Sequence, residues 1–124
     1  MMMEERRHFV RLDTRLDMRY TLLPSGEARQ ATTKDIGGGG ICLFADKIIP
    51  PGTRLQVSMS LPGKQQPVNF VGEVVWSEAY EVIGKEHHQR SVEVGVQFVE
   101  ISPADHEAVM QHVILNIKSS KQGK

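Results

Sequence analysis

From Leu16 the chain alternates. Leu16, Met18, Tyr20 and Leu22 are apolar, and Asp17, Arg19 and Thr21 between them are polar. Successive strand side chains point to opposite faces, so this period of two predicts a β-strand with one face in a core. Leu55, Val57, Met59 and Leu61 repeat the pattern against Gln56, Ser58 and Ser60. So do Val68, Phe70, Gly72, Val74 and Trp76, and then Val92, Val94, Val96 and Phe98. Gln30 to Ile36 and Ile41 to Ala45 read as two further strands on either side of a glycine run. Pro24-Ser25-Gly26-Glu27, Pro50-Pro51-Gly52 and Pro62-Gly63 are turn signals between these runs. Six strands are predicted.

Glu78 to Arg90 is polar, contains Gly84 and lacks a sustained period, which predicts a long, mobile hairpin loop. Ser102-Pro103-Ala104-Asp105 reads as a helix start, with Ser as N-cap, Pro at the first helical position and Asp closing a variant capping box. Val109, Val113, Ile114 and Ile117 supply the apolar face of that helix, and Lys118 to Lys124 reads as a frayed tail. Six short strands with close-spaced turns and one amphipathic helix predict a mainly all-β fold, a six-stranded antiparallel small β-barrel with a C-terminal α-helix over one opening. The expected organisation is a flexible arginine-rich arm at 1–12, the barrel domain at 13–118 and a disordered tail at 119–124.

At 124 residues there is room for one such core and no second domain. Lys plus Arg and Asp plus Glu are both 15, which disfavours a general polyanion binder, so no nucleic-acid polymer is expected as a partner. Positive charge is local instead: Arg6, Arg7, Arg11, Arg15 and Arg19 fall within fourteen residues. Cys42 is the only cysteine, so no internal disulfide forms and a reducing compartment fits. No apolar run is long enough for a signal peptide or a membrane span, and a cytoplasmic protein without membrane insertion is expected.

Two segments carry candidate chemistry. Arg7 and Arg11 stand four residues apart with Arg6 before them, and a guanidinium fork takes a guanine edge or two phosphate oxygens in bidentate fashion. Alone, such an arm reads first as a solvated terminus. Asp35-Ile36-Gly37-Gly38-Gly39-Gly40 then offers a carboxylate and a backbone that a ligand can approach closely, although a glycine-rich corner of a small barrel has the same sequence. It is no P-loop, because no Lys-Ser or Lys-Thr follows Gly40. Trp76, the only tryptophan, reads either as a core or rim aromatic or as a wall for a ligand base. His8, His87, His88, His106 and His112 lack the spacing of a metal site, and nothing resembles a nucleophile elbow or an activated cysteine. No metal, cofactor or catalytic residue is expected, and the chain does not read as an enzyme.

Arg7-x-x-x-Arg11 and Asp35-x-Gly37-x-x-Gly40 together resemble the paired R-x-x-x-R and (D/N)-x-S-x-x-G motifs of PilZ domains, receptors for the bacterial second messenger cyclic di-GMP. Gly72-Glu73-Val74-Val75-Trp76 and Gly95-Val96-Gln97-Phe98 resemble strand segments of that family, and the likeness runs from about Arg6 to Ile117. It implies the same barrel, with Arg6, Arg7, Arg11, Asp35, Gly37, Gly40 and Trp76 as ligand-binding residues. By the same resemblance Asp35 accepts from a guanine N1–H and amino group, Arg6 permits a stacked pair of ligands, and ligand ordering of the arm signals to an unidentified protein partner. One position departs, since Gly37 stands where the motif has serine; the missing hydroxyl is worth one hydrogen bond, about 0.5–1.5 kcal/mol, a tenfold loss of affinity at most. That departure leaves open a ligand-free adaptor acting by protein contact alone. A barrel that binds single-stranded nucleic acid is a third reading, poorly served by 6% aromatic residues and zero net charge.

Overall fold

The computed structural model describes residues 10–24, 26–83 and 88–122. Among them, seven strands and one helix follow in order: β1 (Arg11–Asp13), β2 (Asp17–Leu22), β3 (Ala28–Gly37), β4 (Gly40–Ala45), β5 (Arg54–Met59), β6 (Val68–Ile83), β7 (His88–Ile101) and α1 (Pro103–Gln122). Every pairing is antiparallel in the order β1-β3-β2-β5-β6-β7-β4, and a further β3–β4 pairing closes β2 to β7 into a six-stranded barrel. The alternation predicts the inside: Met18, Tyr20, Leu55, Val57, Met59, Phe70, Val74 and Val94 are all buried, and Ile36 and Leu43 join them. Burying an aliphatic or aromatic side chain of this size contributes about 1.5–3 kcal/mol, which is what shuts the sheet on itself.

Helix α1 covers one opening with Ala108, Val109 and Val113, while Ile114, expected on the same face, is exposed. The Ser102 hydroxyl accepts the Asp105 N–H at 3.1 Å, as an N-cap should. Asp105 looks outward from the helix: its carboxylate accepts the Asn69 N–H at 3.2 Å and so ties the helix start to β6. The helix continues to Gln122, beyond the last apolar residue and into the expected tail.

Two expectations need correction. Glu78 to Arg90 is not one long loop, because β6 and β7 continue as a paired ribbon from Ser77↔Val94 to Ile83↔His88. Glu78 and Tyr80 lie outside the core, so the ladder is held by backbone hydrogen bonds and leaves little apolar alternation to read. Arg11 and Leu12, assigned by sequence to the arm, form β1 with Asp13. They pair with the far half of β3 as Arg11↔Gly37, Leu12↔Ile36 and Asp13↔Asp35. A three-residue strand is too short to show a period. It is positioned by Thr33, whose fully buried hydroxyl donates to the Thr14 carbonyl at 2.6 Å and accepts the Leu16 N–H at 2.9 Å.

Candidate functional site

Two β-bulges bring the site to the outer surface. Thr33 and Val74 face inward, so strict alternation would send Asp35 and Trp76 into the barrel as well. The register instead shifts between Thr33 and Asp35 and between Val74 and Trp76, and each extra residue turns the next side chain outward. Trp76 therefore leaves the inward apolar set in which its spacing places it, and it is 42% exposed.

The outward positions then line up across strands. Asp13 of β1 pairs Asp35 of β3, Asp35 pairs Cys42 of β4, Cys42 pairs Gly95 of β7, and Gly95 pairs Trp76 of β6. From Asp35 to Trp76 this row floors a recess of about 550 Å³, within the usual range of small-molecule sites, whose lining includes Arg11, Asp35, Gly40, Cys42, Trp76 and Gln97. A Cβ at Gly95 would run into the indole Nε1 and Cε2 of Trp76, so the ring lies against bare backbone. Gly40 is as tightly placed: a Cβ there would meet the Val96 carbonyl and sit 2.8 Å from Gln97 Cα.

Charge is concentrated at one rim. The Arg11 Nε and Nη2 donate to Asp35 Oδ1 at 2.7 and 2.6 Å, and Nη2 also reaches the Gly40 carbonyl at 3.4 Å. Lys34 Nζ lies 4.0 Å from Asp35 Oδ2 and 3.9 Å from Glu93 Oε1. Hydrogen bonding to Glu93, with burial and that residue's charge behind it, pushes the Tyr80 phenol up to about 12. Burial first, then the charges of Asp35 and Glu93, push the Cys42 thiol up to about 11, so it stays protonated at neutral pH and is no nucleophile.

Arg11, Asp35, Gly40 and Trp76 are thus brought to one recess. Gly37 lies beside it and under β1: a Cβ there would stand 2.9 Å from the Val10 carbonyl and 3.4 Å from Arg11 Nη1. Arg6 and Arg7 lie outside the described residues. Sequence reasoning passed over Gly95 as the seat of Trp76 and Cys42 as the floor, which cross-strand register alone unites, and over Lys34, the neighbour of Asp35 in the chain.

A family model for the PilZ domain matches residues 5–115. The chain belongs to the PilZ domain family. Solved structures share its fold. The PilZ domain of YcgR from Escherichia coli, solved with c-di-GMP, is 17% identical and aligns over 95% of each chain with a TM-score of 0.72. The K. pneumonia MrkH–c-di-GMP complex is 18% identical, with 95% of this chain and 54% of that one aligned and a TM-score of 0.76. The Bacillus subtilis inhibitor of motility (MotI/DgrA) is 22% identical, over 92% of this chain and 52% of that one, with a TM-score of 0.72. The chain thus spans about half the length of the latter two. No curated protein matches it in sequence. The segment from Asp35 to Gly40 is a hairpin, with Asp35 and Gly37 on β3, Gly38 and Gly39 at the turn, and Gly40 opening β4.

Proposed function

We propose that this PilZ protein is a receptor for cyclic di-GMP rather than an enzyme. The observation that carries the reading is the meeting of its two motifs: Arg11 and Asp35, 24 residues apart, pair at the rim of a recess that Trp76 bounds on the other side. Cyclic di-GMP carries two phosphates and two guanines. Asp35 Oδ2 accepts a guanine N1–H or amino proton, and the Arg11 guanidinium turns its remaining donors to a guanine O6/N7 edge or a phosphate. The indole of Trp76 stacks on a base. Gly37 and Gly40 serve the ligand by letting the residues before β1 and those of β7 pack against the hairpin, which holds Arg11 at the recess, and Arg6 and Arg7 close over the ligand from the N-terminal side, Arg6 serving a second stacked ligand molecule. The signal passes to a protein partner in the cytoplasm as residues preceding β1 become ordered, at a cost in conformational entropy.

Titration calorimetry with cyclic di-GMP, against GTP and cyclic GMP, tests this. Selective micromolar or tighter binding that disappears in the Arg7→Ala, Arg11→Ala double variant is expected, with the fold unchanged. Affinity kept in that variant would rule out the site.

A second reading rests on the Arg11–Asp35 pair itself, in which the two motifs satisfy each other without ligand. A PilZ-like adaptor acting only by protein contact has the same need. It calls for capture of one partner equally with and without the dinucleotide.

A further inference from the structure

We infer that His106 is a positioning residue for this site, latching the glycine turn to helix α1; the inference rests on the cyclic di-GMP reading above. Gly38 and Gly39 connect β3 to β4, and each carbonyl is held by a different element. His106, in the first turn of α1, places Nε2 2.9 Å from the Gly38 oxygen across 68 residues of sequence. The Phe98 N–H of β7 donates to the Gly39 oxygen at 3.0 Å. A carbonyl only accepts, so His106 Nε2 carries the proton in this bond.

The peptide between Gly38 and Gly39 is planar and trans, which sets its N–H opposite to its C=O. Holding the Gly38 carbonyl against α1 therefore turns the Gly39 N–H away from the helix, and Gly39 lines the recess. A Gly-Gly peptide has no Cβ at either end to resist rotation, so the sequence alone leaves both orientations open. His106 selects one of them and presents a donor to a guanine or phosphate. Its ring is itself fixed, edge-on to Phe98 at 5.9 Å between centroids, and Phe98 is edge-on to Phe70 at 4.7 Å. The latch thus runs from the barrel wall through the helix to the turn, and His106 touches no ligand.

Two substitutions separate the bond from the packing. His106→Phe keeps an aromatic ring on Phe98 and removes the N–H; His106→Gln keeps a donor at similar reach. In the ligand-free protein, amide exchange at Gly40, which opens β4 directly after the turn, should quicken in His106→Phe and stay near wild type in His106→Gln. Loss of one hydrogen bond should raise the cyclic di-GMP dissociation constant about 2- to 10-fold in the Phe variant alone. Unchanged exchange and affinity in His106→Phe, or a Gln variant as impaired as the Phe one, would overturn the latch. A wild-type protein that binds no cyclic di-GMP would remove the receptor reading, and the exchange comparison would still decide whether His106 holds the turn.

Discussion

Trp76 rests on Gly95: the indole occupies the space a Cβ on that glycine would need, and the two residues are cross-strand partners beside a bulge. One wall of the recess therefore depends on a missing side chain in the neighbouring strand. Gly95→Ala should push the ring off its seat while the barrel, whose inward residues are untouched, stays folded. Trp76 is the sole tryptophan, so its emission reports directly and should shift to the red. Stacking of a base on an aromatic ring is worth about 1–3 kcal/mol, and cyclic di-GMP affinity should fall at least about fivefold. An unshifted spectrum would mean that the ring does not lie on Gly95 in solution.

The Arg11–Asp35 pair predicts a split between stability and binding. Their side chains are 44% and 15% exposed, so the pair is partly screened and its loss in Arg11→Ala should cost only about 1 kcal/mol in denaturant unfolding. Ligand affinity should drop more than tenfold, because the fork that would read guanine or phosphate goes with it. Arg11→Lys should restore charge and stability but little affinity, since an ammonium cannot bind bidentately. Full binding by the Lys variant would show that Arg11 acts as a point charge.

The barrel was legible because its inward residues alternate without interruption within β2, β4 and β5 and over long stretches of β6 and β7, and hydrophobic burial enforces that pattern. Asp35 and Gly40 were legible as a motif. What made them a site was not: Asp35 faces outward only because Lys34 is an extra residue in β3, and Trp76 only because of the bulge at Val75. A bulge leaves no mark in a hydrophobic pattern, and here it turns Trp76 out of the inward set that its spacing alone suggests. The Ser77–Ile83 half of β6 was missed for a related reason, since a ribbon held by its backbone needs no alternating core face. The contact between His106 and Gly38 joins residues 68 apart, beyond any local signal.

Cys42 predicts a stability change at alkaline pH. Burial, then Asp35 and Glu93, raise the folded thiol to about 11 from an ordinary value near 9.0, so the folded state holds this proton more tightly than the unfolded one. The resulting stabilisation is complete below about pH 9 and is lost as pH rises through 11. Wild-type protein should therefore lose more stability than Cys42→Ala between pH 8 and pH 11, the comparison cancelling the lysines and the part of the Tyr80 shift that comes from its bond to Glu93 and its burial. Thiol labelling at pH 8 should be slow against an unfolded control. Parallel stability curves for the two proteins would show that the thiol is not shielded by the recess floor.

The two motif glycines should bear unequal costs for a side chain. A Cβ at Gly40 would collide with the backbone of Val96 and Gln97 in the closed barrel, where neither strand can withdraw, so Gly40→Ala should cost about 2 kcal/mol or more. At Gly37 the obstacle is the Val10 carbonyl at 2.9 Å, at the edge of a three-residue strand, and Val10 is itself 55% exposed. Gly37→Ser should therefore cost only about 1 kcal/mol as β1 shifts outward. Restoring the family's serine should also fail to raise affinity: the added hydroxyl offers one hydrogen bond, but its Cβ displaces the β1 backbone that aims Arg11 at Asp35. Calorimetry and thermal unfolding of both variants would show this directly. A Gly37→Ser protein that binds about tenfold tighter with unchanged stability would mean that β1 does not sit against Gly37 when the ligand is bound.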